Sequence, residues 1–283
     1  MEIKTVSQCT LEDVLKAWNK GFEGYFVQIT MDEEMFLNRL VGEGLSPKLS
    51  LVAFDGNEPV GIVLNGVRHL NGRKTSWNGG TGISSDYRGT GISRALMEET
   101  LAVYARESVE IATLEAITGN SKAIALYEKY GYRIANRLLF LSGEFKTKVT
   151  EPIQMQIETL HPEQLSNLSF YQQEVPWQCS WHSNKQGQAK VFYNLENEAV
   201  GYMLYRSQWA KDGQLERLVL YQLEVLGQGS VDYIPYFLDS ITNQPVKIAT
   251  VNFLASNPVT NYLLENGLEV TTEQVQMKKI MNE

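Results

Sequence analysis

Six residues in the first half of the chain, Arg88-Gly89-Thr90-Gly91-Ile92-Ser93, stand between a β-rich segment and a run with helical spacing. Glycines in such a loop let the backbone come close to an anion. The first free N–H groups of the helix that follows, with its dipole, then supply an anion site. These six residues fit a phosphate-binding turn and a turn that merely joins strand to helix equally well. Two common phosphate loops do not fit: the chain has no Gly-x-x-x-x-Gly-Lys-Ser/Thr, and Arg94 stands where the dinucleotide fingerprint needs its third glycine. A second group follows, Asn120-Ser-Lys-Ala123-Ile-Ala-Leu126-Tyr127-Glu-Lys-Tyr130-Gly131-Tyr132. Taken alone it is best explained as a helix capped by Asn120 or Ser121, with Tyr127 in the core and Gly131 as a left-handed stop.

The elements that must position these residues are legible from periodicity. Residues 11–22 and 31–42 have the spacing of amphipathic helices, and 49–68 that of a hairpin. A strand through Thr81-Gly82-Ile83-Ser84 leads into the loop. A long helix follows, with Ile92, Ala95, Leu96, Leu101 and Tyr104 near 3.6-residue spacing. A short strand, Ile111–Ile117, then precedes a helix over 120–130.

The two groups together, with a strand between them, resemble the motifs of the GCN5-related N-acetyltransferase (GNAT) family. These are an Arg/Gln-x-x-Gly-x-Gly/Ala loop and an Asn-x-x-Ala-x-x-x-Tyr helix ending in Gly-Tyr/Phe. The resemblance covers most of residues 1–145. It implies a mixed α/β fold whose fourth and fifth strands splay apart, and acetyl transfer from acetyl-CoA, without a metal, to an amine of a small molecule or protein. Carried over, Arg88 and the backbone amides of Gly89, Thr90, Gly91, Ile92 and Ser93 would hold the CoA diphosphate, and Ile83 and Ser85 the pantetheine. Asn120 would orient the cofactor as well as cap its helix. A strand N–H at Ile83 or Ser84 would stabilise the charge that develops on the acyl oxygen. The departing thiolate needs a proton, and Tyr127 occupies the family's donor position. Ser93 departs from the usual Gly or Ala, but is small enough to keep the path of the loop. An alkylammonium with a pKa near ~10 must lose a proton before it attacks. Glu115 and a water chain are equally good candidates for that base. The alternative from a different class is an acyl-CoA-binding or regulatory module without catalysis, and a donor at Tyr127 favours the enzyme.

Length and composition set the frame. The 283 residues give about two domains at ~150 residues each. The chain is 43% hydrophobic and 20% charged, as in an ordinary globular protein. A net charge of −8 argues against nucleic acid or an anionic membrane as the main partner. It also means that a polyanionic cofactor must be captured locally, while the remaining surface favours a cationic acceptor. Two cysteines, Cys9 and Cys179, allow no disulfide framework, and residues 1–5 lack a signal-peptide stretch, so a cytoplasmic setting is expected.

Asn57-Glu58-Pro59-Val60-Gly61 recurs as Asn197-Glu198-Ala199-Val200-Gly201, each between two β-rich runs. The expected domains are therefore a catalytic one over 1–145 and a related one over 146–283 that supports it or shapes the acceptor site. The second copy has lost its chemistry. With Gly267 set against Gly131, Ser256 faces Asn120 and Leu263 faces Tyr127, and only Gly227-Gln228-Gly229-Ser230 stands for the loop. Cys179 and His182 have the spacing of two metal ligands but no visible partners, and no serine-hydrolase elbow exists. The aromatic-rich segments 18–26 and 170–181 fit core packing better than an acceptor pocket.

Overall fold

The computed structural model describes residues 1–27, 29–146, 153–227, 230–242 and 244–281. The chain divides into two compact units, Met1–Ala135 with Val275–Glu283, and Asn136–Gln274.

The first unit contains β1 (Glu2–Thr5), α1 (Leu11–Gly21), α2 (Glu33–Glu43), β2 (Leu51–Asp55), β3 (Glu58–Leu70), β4 (Arg73–Ile83), α3 (Ile92–Arg106), β5 (Ile111–Ile117) and α4 (Ser121–Lys129). β1 to β4 are successive antiparallel neighbours, and β5 joins β4 in parallel. Helix starts follow the chemistry of their caps. Thr10 accepts from the Asp13 N–H and Asp32 from the Met35 N–H, while Gly44, at φ 66°, closes α2 in the left-handed conformation. On one face Leu96 and Tyr104 of α3 pack with Leu51, Val63, Ala112 and Leu114. On the other, Val14, Ala17 and Trp18 of α1 are buried. α1 lies close to β4 because β4 offers glycines there: a Cβ on Gly80 would come within 2.9 Å of the Trp18 ring, and one on Gly82 within 2.9 Å of Phe22. The same glycines dilute the β pattern, so the sequence shows only the end of this strand.

The second unit repeats the plan with β7 (Gln156–Leu160), β8 (Gln188–Tyr193), β9 (Ala199–Trp209), β10 (Leu215–Val225), α5 (Ile234–Asp239), β11 (Val246–Thr250), β12 (Phe253–Leu254) and α6 (Pro258–Glu265). β8, β9 and β10 form the expected hairpin and its neighbour, and β11 joins β10 in parallel.

Two strands depart from the expected division at 145/146. β6 (Arg133–Phe145) pairs with β11 from Ala249↔Ser142 to Val246↔Phe145, so from Asn136 onward it belongs to the second unit. β13 (Glu269–Ile280) is the neighbour of β5, and its Val275 and Met277 are buried in the core of the first unit. Val275 and Met277 share that core with Ala112 and Leu114 of β5, which ties this end of the strand to the first unit. Residues 147–152, which carry most of the expected linker, lie outside the described residues.

Candidate functional site

The parallel ladder between β4 and β5 runs from Thr75↔Ile111 to Asn78↔Leu114 and stops there. β4 continues to Ile83 while still paired with β3, with a bulge in that register at Gly79. The β5 side of its last residues is therefore an open backbone edge. The Ser84 N–H donates to the Val60 carbonyl at 2.9 Å. Alternation along an antiparallel strand then turns the Ile83 N–H to the opposite, open side. Of the two expected oxyanion donors, Ile83 faces the gap and Ser84 faces β3. Ser85 does not extend the strand: it begins a single 3-10 turn, Ser85–Tyr87, and its carbonyl accepts from the Arg88 N–H.

Gly89 and Gly91 lie at φ 83° and 99°, where a side chain is strained although the space beside both is open. Conformation, and not crowding, requires glycine here. α3 begins after Gly91 without a side-chain cap and without an acid in its first turn. The first N–H groups, from Ile92 and Ser93 onward, thus meet no anionic side chain of their own turn. The Thr90 hydroxyl donates to the Tyr87 carbonyl at 2.7 Å, tightening the turn. Arg88 is exposed, and its guanidinium donates to the carbonyls of Ile83 and Glu23, both at 3.1 Å. Two donors used of five leave others for a phosphate.

Asn120 caps α4, accepting from the Ala123 N–H at 3.3 Å, and its amide donates to the Tyr25 hydroxyl at 3.4 Å. Tyr127, one side of whose ring lies near Tyr132, is 7% exposed. Its hydroxyl forms a hydrogen bond with the Thr81 side chain, and burial pushes its pKa up to about 12. Thr81 lies on the part of β4 beyond the last ladder pair, and it also accepts from the Asn78 amide at 2.9 Å. Tyr127 is thus both a core residue and a protonated hydroxyl at the open edge.

Glu115 is the first β5 residue past the ladder. Its Oε2 accepts from the Trp77 indole N–H at 2.6 Å, and its Oε1 is buried with no hydrogen-bond partner among the described residues. Burial raises its pKa to about 7 against the opposing hydrogen bonds of Trp77 and Gln276, with the Glu43 charge adding to the rise. Sequence reading found Glu115 but not Trp77, Thr81 or Gln276. Gln276 lies in a strand expected to belong to the other domain, and nothing in its local pattern marks it.

The aromatic segment 18–26 has a mixed fate. Trp18 and Phe22 are buried with ring centroids 4.3 Å apart, whereas Phe26 is 59% exposed. In the segment 170–181, Tyr171 and Trp177 are buried. The Cys179 thiol donates to the Val251 carbonyl at 3.0 Å, whereas His182 bonds the Ser180 hydroxyl and stacks on Trp181.

The second unit keeps the geometry but not the groups. Its parallel ladder ends at Leu220↔Thr250. Leu263 on α6 is fully buried, and the cap is Asn257, one residue past the aligned Ser256. α5 spans only Ile234–Asp239 where the first unit has the whole of α3. Of the aligned loop, Gln228 and Gly229 lie outside the described residues.

Residues 11–132 match the family profile described as Acetyltransferase (GNAT) family. N-alpha-acetyltransferase 30 of Saccharomyces cerevisiae is 35% identical over 92 residues, which are 30% of this chain and 52% of that protein. The chain thus spans about half the length of that relative. A tandem GNAT protein from the clavulanic acid biosynthesis pathway superposes with a TM-score of 0.60 at 12% identity, covering 99% of both chains. A GCN5-related N-acetyltransferase from Sphaerobacter thermophilus gives a TM-score of 0.63 at 11% identity, covering 99% of this chain and 95% of its own. These two likenesses are of fold.

Proposed function

We propose that the first unit, whose residues 11–132 match the GNAT acetyltransferase family, transfers the acetyl group of acetyl-CoA to a primary amine. The observation that carries the reading is the open edge of β4, with the Tyr127 hydroxyl on Thr81 and Glu115 just past the last ladder pair. The residues present fit the co-substrate. The uncapped start of α3, the left-handed glycines and Arg88 make an anion cradle, and the open edge offers backbone groups to an amide-bearing arm. Bound acetyl-CoA supplies the activated acyl group.

The roles of the residues follow from their states. Glu115, with a pKa of about 7, is ionised in a useful fraction at neutral pH and takes the proton of the incoming ammonium. The Ile83 N–H stabilises charge on the acyl oxygen, a contribution of a few kcal/mol where it is preorganised. Tyr127 is protonated throughout the physiological range and gives its proton to the departing sulfur. A base near 7 is better matched to a peptide α-amine, at pKa ~8, than to a lysine at ~10.4. The name of the yeast relative, an N-alpha-acetyltransferase, supports the same acceptor class, an α-amine. Thiol release with a panel of peptides and small amines tests the reading, with Tyr127→Phe as the control.

A further inference from the structure

The first unit's sheet contains one strand that arrives from the far end of the chain. β13 lies beside β5 through residues that belong to the first unit, and between its buried Val275 and Met277 stands Gln276, 4% exposed. A buried amide on a central strand is costly unless its hydrogen bonds are made. Here it meets Glu115, whose carboxyl it hydrogen-bonds together with Trp77.

We infer that Gln276 is a positioning residue for Glu115: with Trp77 it fixes the carboxyl group so that Oε1, which has no partner, is left to take the proton of the acceptor. The inference rests on the reading of Glu115 as the base. Trp77 occupies Oε2, and Oε1 is buried and without a hydrogen bond among the described residues. A carboxylate anchored on one side and bare on the other is in the arrangement a base needs. The charged group facing Glu115 from α2 is Glu43, whose Oε2 is itself held by the Arg39 Nε at 2.8 Å. The indole and the amide therefore oppose both burial and Glu43. Removing either donor disfavours the ionised carboxyl, so it moves the titration of Glu115 upward. The base of the first unit is in this way held by the last strand of the chain.

The test uses the full-length protein. The titration of Glu115 is followed by carboxyl infrared or ¹³C NMR, with Glu115→Gln identifying the signal, and the pH dependence of kcat is measured in parallel. Gln276→Met keeps the volume and removes the donor; Gln276→Asn, which draws the amide back, serves where the first variant does not fold. The titration and the acidic limb of kcat are expected to rise together by roughly one pH unit. That gives about tenfold lower kcat at pH 6, recovery at pH 9 and an unchanged KM for acetyl-CoA. Structural damage alone would not be rescued by pH. An unmoved titration in a folded variant overturns the inference while leaving Glu115 as base, a role judged separately by whether Glu115→Gln abolishes the acidic limb. A titration that moves while the limb stays put overturns the base reading and, with it, the positioning role.

Discussion

Asn78 and Leu114 are the last partners of the parallel ladder between β4 and β5. The groups proposed for catalysis gather past that pair: Ile83 on one strand, Glu115 on the other, and Tyr127 of α4 through its hydrogen bond to Thr81. The ladder stops where the chain inserts Gly79 as a bulge against β3, which lets β4 bend away while keeping its antiparallel partner. Separation of the strands is thus paid for by lost hydrogen bonds at one edge only.

Tyr127→Phe removes the proton donor and one hydrogen bond, that to Thr81. A general acid contributes ~10²–10⁴-fold, so kcat is expected to drop by at least about a hundredfold. Stability should fall by only about 1 kcal/mol. Acetyl-CoA affinity from calorimetry should stay within about twofold of the parent. Parent-like turnover in the variant would remove Tyr127 from its role.

Gly91 separates conformation from space. A side chain there meets nothing within 4 Å, but must adopt φ 99°. Gly91→Val should therefore weaken acetyl-CoA binding about tenfold or more, through a backbone cost of ~1–2 kcal/mol and a displaced helix start. Gly91→Asn should lose less, because asparagine tolerates positive φ. Equal losses for the two variants would point to contact with the ligand as the cause, and no loss in either would contradict the loop assignment.

Glu115 makes stability depend on pH with a defined sign. Its pKa rises from the ordinary 4.5 to about 7 in the fold. Between those values the folded state holds a proton that the unfolded chain has lost, so stability falls as pH rises and the penalty is complete above pH 7. Glu115→Gln removes that penalty, which has a ceiling of about 3 kcal/mol. Its Tm should exceed that of the parent by several degrees at pH 8 and by little at pH 4.5. The same Tm difference at both pH values would show that Glu115 is not held protonated.

Much of this was legible in the sequence because it is local. The cap at Asn120, the strand Ile111–Ile117, the left-handed stop at Gly131 and the glycine loop each depend on a few adjacent residues, and each is found where local rules place it. What escaped is non-local. Gly79, Gly80 and Gly82 hide the length of β4, because they serve the approach of Trp18 and Phe22 and not the propensity of the strand. The exchange of β6 and the end of β13 between the two units leaves no periodic trace, since either strand would alternate in the same way in either sheet. Gln276 was invisible for that reason, and with it the second anchor of Glu115.

The central claim is tested most directly by CoA thiol release from acetyl-CoA in the presence of peptides with free N-terminal amines, with matched N-acetylated peptides as blanks. Release is expected to require the free amine, to produce the acetylated peptide in equal amount and to collapse in Tyr127→Phe. Acetyl-CoA bound by the protein, with no amine-dependent release across peptides and small amines alike, would contradict it and leave a binding module in its place.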